Sequence, residues 1–212
     1  MRLVILICFY LLSSNLPAQS VQYLTDMNIA VKSFDAATTA KEYHAVYLIL
    51  DPIAKANPTE WLPYYYMSLV KSRMSMLKMG NADELANQSI LLIEKAKKIQ
   101  LNDEVLCAES LAYTAKMSVS PYTRWLRYES KIKSPLLLAK KMNKDNPRVY
   151  ALEANLQYNM PVLLGGGCAN SYSIALIASE KLAAQARTNS SFIMPHWGAS
   201  IIHQIIKECK KD

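Results

Sequence analysis

Tyr64, Cys107 and Tyr150 stand 43 positions apart, each near the opening of a helical stretch: EWLPYYYMSL, DEVLCAESLA and NPRVYALEAN. Ser68, Leu111 and Ala154 follow four residues later on the same helix face, turned toward a partner helix. Each unit closes on a second helical stretch: EKAKKIQLND, LLAKKMNKDN and SEKLAAQART. Such a unit is a helix hairpin, and one hairpin leaves its own apolar stripe uncovered. Stacking on neighbouring copies buries that stripe, so the repeat predicts a stack of hairpins.

The local signals agree. Apolar residues recur at three- and four-residue steps, as in Leu85, Ile90, Leu91 and Ile93, and strand patterns are nearly absent. Thr39 with Glu42 and Asn81 with Glu84 have capping-box spacing. Ser120-Pro121, Ser134-Pro135 and Asn146-Pro147 each place a cap residue before a proline suited to the first helical position. Helices are expected near 21–36, 39–56, 60–78, 82–100, 103–118, 121–130, 135–143, 147–159, 169–187 and 196–209. Pro52 removes a backbone bond inside the second, so a kink or break is expected there. The run Gly165-Gly166-Gly167 occupies the slot of the interhelix turn in its unit, and it reads as a turn. A phosphate loop would need a preceding strand and a following Lys with Ser or Thr, and Cys168-Ala169-Asn170 follows instead.

Residues 1–18 have the order of a cleavable secretory signal: Arg2, the apolar run Leu3–Leu12, then Ala18 before Gln19. Residues 19–212 then form a single domain in the periplasm or outside the cell, with no transmembrane segment. Export makes nucleic acid an improbable partner for the formal charge of +7. The basic residues Lys131, Lys133, Lys140, Lys141, Lys144 and Arg148 read as a solvated face. Cys168 falls in the first turn of one helix and Cys209 in the last turn of the next. Antiparallel packing brings those ends together, so a Cys168–Cys209 disulfide is expected, worth roughly 4 kcal/mol in the chain-entropy model. Cys107 takes a core slot. His44, His196 and His203 have no metal-ligand spacing, and neither a metal nor a cofactor is expected.

The hairpins closing on KAKKIQLND, with a small or aromatic residue four positions into the next helix, resemble tetratricopeptide repeats. WLPYYY, DNPRVYALEANLQYN, GGGC, PHWG and ECKK are similar to segments of small exported tetratricopeptide-like proteins of Gram-negative bacteria. The resemblance implies an all-α fold, a right-handed α-solenoid of about three to four antiparallel hairpins. It also implies a groove, lined by the first helix of each pair, that takes a protein or peptide partner. Transferred to this chain, that groove is lined by Leu62, Tyr65, Leu69, Arg148, Asn155 and Tyr158. Within WLPYYY, Tyr65 is the tyrosine expected to face outward. Arg148 and Asn155 resemble a carboxylate clamp, with Ala151 where the clamp needs another polar group. Trp197 is expected to pack on the preceding hairpin.

No convergent catalytic set is present, so binding is the expected role rather than catalysis. One alternative is a thiol-dependent enzyme or redox protein using Cys168 at a helix N-terminus with His196 or His203. The other is a structural envelope component without a ligand.

Overall fold

A computed structural model describes residues 16–188 and 191–210. Of the expected leader, residues 1–15 lie outside the described residues, and α1 begins at Leu16. The chain is all-α. The described helices are α1 (Leu16–Ala36), α2 (Ala40–Ala56), α3 (Trp61–Met76), α4 (Ala82–Ile99) and α5 (Asp103–Ser118). They continue with α6 (Pro121–Met142), α7 (Pro147–Asn159), a 3-10 turn (Val162–Leu164), α8 (Cys168–Thr188) and α9 (Ala199–Cys209).

The helices lie in two layers. α1, α3, α5, α7 and α9 touch one another in that order, while α2, α4, α6 and α8 pack on their sequence neighbours, with the Arg124–Asp83 pair linking α6 to α4. Inner-layer helices are therefore covered on several sides, and the outer layer keeps one face in water. The contrast shows in burial: α3 buries residues all around its circumference, while α4 buries a stripe of Leu85, Ala86, Ser89, Leu92, Ile93 and Ala96. Three small hydroxyls, Ser68, Ser72 and Ser89, let α3 and α4 approach closely and satisfy each other, with O···O distances of 2.9 and 2.7 Å.

The 43-residue step repeats the environment of its two tyrosines. Tyr64 donates to the Ala54 carbonyl of α2 and has Lys95 of α4 over its ring; Tyr150 has Lys140 of α6 and Lys181 of α8 over its ring. Each tyrosine is wedged between the preceding outer helix and its own. Cys107, at the middle position of the step in α5, is fully buried where the two tyrosines are half-buried. Lys97–Glu109 joins α4 to α5 at 2.7 Å, and Lys140–Glu153 joins α6 to α7 at 2.8 Å in the equivalent place.

The expected caps Thr39, Asn81 and Asn146 start their helices by accepting a backbone N–H, as Asn102 does for α5, whereas Ser120 precedes α6 without such a bond. Ser134 is a correction. α6 runs unbroken from Pro121 to Met142, with Pro135 buried inside it. Burial of Ile132, Pro135, Leu136 and Ala139 along one stripe offsets the bond that proline cannot make. α2 likewise continues through Pro52 without a break.

Candidate functional site

The expected groove is the first region to test. Leu62, Tyr65, Leu69 and Arg148 are all 3% exposed or less. They are corrected from partner-facing to core positions, and the cause is the chain itself. The segment between α8 and α9 lies across this face. The Trp197 indole N–H donates to the Tyr65 hydroxyl at 2.7 Å, and the Tyr66 hydroxyl donates to the Ile193 carbonyl at 3.0 Å. Trp197 thus bonds to α3, far back in the chain, and shares its core cluster with Val149 and Leu152 of α7. Of the three tyrosines Tyr64 is the partly exposed one, and Tyr65 and Tyr66 are buried.

Beneath Trp197 lies a polar network. The Tyr65 hydroxyl donates to Glu104 Oε2 at 3.3 Å, while Arg148 Nε and Asn146 Nδ2 each donate to Glu104 Oε1 at 2.8 Å. Arg148 Nη1 reaches Gln185 Oε1 at 2.9 Å. Burial holds the Glu104 carboxyl above its ordinary range, and the adjacent guanidinium opposes that shift. Every member is partnered inside the fold, which makes this a structural cross-link of α3, α5, α7 and α8. Asn155 and Tyr158 stay partly exposed on α7; Asn155 accepts from Asn159, and Tyr158 bonds Glu208 of α9.

An open apolar region lies elsewhere. Tyr122 (99% exposed), Leu163 (99%), Leu126 (89%) and Val162 (78%) are the four most exposed large apolar side chains among the described residues. Two come from the first turns of α6 and two from the 3-10 turn after α7. Because α6 and α7 run antiparallel, these segments share one end of the array. Leu156 of α7 and Trp125 of α6 pack on the same small cluster of Met117, Tyr128 and Ile132, which ties the two sides together. The result is an apolar floor, half open, with an exposed apolar rim. Such concentration marks a binding surface more often than chance exposure does. Lys133 brings its ammonium within 5.8 Å of the Trp125 ring centroid and pairs with Glu129.

The glycine run builds one side of this rim. Gly165 and Gly167 have φ of +84° and +87°, and a Cβ on Gly166 would lie 1.8 Å from the Met160 carbonyl oxygen. Their N–H groups donate to the carbonyls of Val162, Pro161 and Gln157. With its amides used internally, the turn has no cradle for phosphate; its effect is to hold Val162 and Leu163 outward.

A disulfide joins Cys168 at the start of α8 to Cys209 at the end of α9. It leaves no thiolate at Cys168, which removes the nucleophile the thiol-enzyme alternative requires. Burial pushes the Cys107 thiol well up. His44 and His203 are exposed, and His196 Nε2 lies 2.9 Å from Asp35 Oδ2.

Sequence reasoning missed Tyr122, Leu126, Val162 and Leu163 as a group. The available signal was apolar residues at two chain turns, which gains meaning once the hairpin order places both turns at one end.

No protein-family model matches the chain, and no curated protein does. Among solved structures the chain is similar to the HusA haemophore from Porphyromonas gingivalis, with a TM-score of 0.79 and 27% sequence identity over 89% of this chain and 93% of that one.

Proposed function

We propose that this chain is an exported carrier that binds haem, or a porphyrin like it, on the apolar end formed by α6 and the α7–α8 turn. The observation that carries this reading is the exposure of Tyr122, Leu126, Val162 and Leu163 at one end of a fold similar to that of a haemophore. A porphyrin is a flat apolar disc with anionic carboxylate arms. Aromatic and aliphatic side chains suit its faces, and Lys133 at the floor's edge suits a carboxylate. The role is binding rather than catalysis. Export rests on the leader at residues 1–18.

A protein or peptide in the array's groove is the less favoured reading, because only Asn155 and Tyr158 of the six expected positions keep exposed surface.

The test is titration of haem into the purified chain, followed by the shift of its Soret absorption. Tyr122→Ala with Leu126→Ala is expected to weaken binding by about tenfold or more, since each buried side chain contributes roughly 1.5–3 kcal/mol. Leu163→Ser is expected to act in the same direction. Unchanged affinity in both variants would reject the site, and absence of any haem binding by the parent chain would reject the function.

A further inference from the structure

The surplus positive charge is concentrated in one place. Residues 121–144 hold seven Lys and Arg against the single acid Glu129, which accounts for +6 of the chain's formal +7. Lys131, Lys141 and Lys144 are exposed, as a solvated face requires, but acids are scarce among them.

The arrangement on α6 adds a second observation. Its buried stripe of Tyr128, Ile132, Pro135, Leu136 and Ala139 faces the core. The opposite arc presents Arg127, Lys131 and Lys141, all exposed, interleaved with Leu137, Leu138 and Met142 at 58, 43 and 49% exposure. At 3.6 residues per turn these six span about 140° of the helix. Arg124, Lys133 and Lys140 are paired with Asp83, Glu129 and Glu153. Arg127, Lys131, Lys141 and Lys144 have no carboxylate partner among the described residues; the first two lie over the rings of Tyr128 and Tyr113. Among the described helices α6 packs on α5 and α7 and reaches α4 through the Arg124–Asp83 pair, and none of these contacts covers this arc. Beside it runs a furrow of about 330 Å³ to which Lys131, Ser130, Ser134 and Tyr113 contribute.

We propose that this arc of α6 docks on a bilayer surface rich in anionic phospholipid. Unpaired cations alternating with projecting leucines match a lipid interface on both counts: the cations meet head-group phosphates, and the apolar tips enter the boundary with the acyl chains. An acidic protein surface would match the cations but gain nothing from Leu137 and Leu138 standing in water. No described helix is long and apolar enough to cross a membrane, so α6 would lie in the plane of the surface. Leu126 borders this arc, about 20° around the helix from Leu137, so the docking face and the proposed porphyrin site adjoin.

The experiment is co-sedimentation of the purified chain with vesicles of mixed phosphatidylglycerol and phosphatidylcholine, alongside vesicles of phosphatidylcholine alone. Binding is expected to the anionic vesicles, at least about tenfold weaker to the neutral ones, and reduced by salt as screening shortens. The charge-reversed variant Lys131→Glu, Lys141→Glu, Lys144→Glu should lose on the order of a hundredfold. Leu137→Ser with Leu138→Ser should also weaken binding, and circular dichroism shows whether each variant is folded. The proposal is overturned if the parent chain ignores anionic vesicles, binds both kinds equally, or is matched by a folded charge-reversed variant. Capture on immobilised polyglutamate without vesicle binding would overturn it in favour of an acidic protein.

Discussion

Tyr65 and Tyr122 sit on helices of the same array, yet one is fully buried and the other is 99% exposed. The difference lies in what covers each helix. Over α3 the segment carrying Ile193 and Trp197 returns from the far end of the chain and hydrogen-bonds both Tyr65 and Tyr66. At the start of α6 no described segment returns, and the neighbouring turn projects Val162 and Leu163 outward. An aromatic residue in a repeat therefore has no fixed role. Where the chain covers it, it holds the fold; where the chain stops short, it stays exposed.

The sharpest way to break this comparison is a pair of substitutions. Trp197→Ala should cost about 3–5 kcal/mol in urea unfolding, through the cavity and the lost partner of Tyr65. Tyr122→Ala should change stability by no more than about 0.5 kcal/mol, because it removes no buried contact. Equal losses in the two variants would mean that the covered face and the open end are not different in kind.

The disulfide sharpens the comparison next. It fastens both ends of the α8–α9 unit that carries the covering segment. Replacing Cys168 and Cys209 with Ser should lower stability by roughly 2–4 kcal/mol. Hydrogen exchange should rise first at Ile193 and Trp197 rather than at α3 and α4, since a stack loosens locally. Uniform exchange along the array would contradict that.

The smallest effect concerns pH. His196 holds the covering segment to Asp35 of α1, and that hydrogen bond raises its pKa above 6.5. A folded-state pKa above the unfolded value means the contribution is whole below about 6.5 and fades as pH rises through the folded value. Both side chains are about one-third exposed, which keeps the effect modest. Urea midpoints should fall slightly on the alkaline side for the parent chain, and that slope should vanish in Asp35→Asn.

Much of the fold was legible because it is local or periodic. Thr39, Asn81 and Asn146 cap the helices that follow them, because a cap acts over three residues. Tyr64 and Tyr150 keep one shared slot because stacked hairpins meet their neighbours alike, while Cys107 between them in the register is fully buried. The Cys168–Cys209 pair followed from the antiparallel run of two adjacent helices. The misreadings came from longer range. Ser134-Pro135 has the form of a helix start, but the buried stripe on both sides of it carries α6 straight through. The groove residues were misplaced because the segment that covers them is irregular and leaves no period to read.

By itself the amino-acid sequence determined the hairpins, their order, and the glycine turn, where a Cβ on Gly166 would collide with backbone. Each depends on steric and hydrogen-bonding rules that act within a few residues or repeat at a fixed step. Tertiary structure alone decided which inner faces the returning segment covers, and that the starts of α6 and the turn after α7 share an end. Burial is a property of what arrives from elsewhere in the chain, and residues far apart in sequence meet only when the stack is complete.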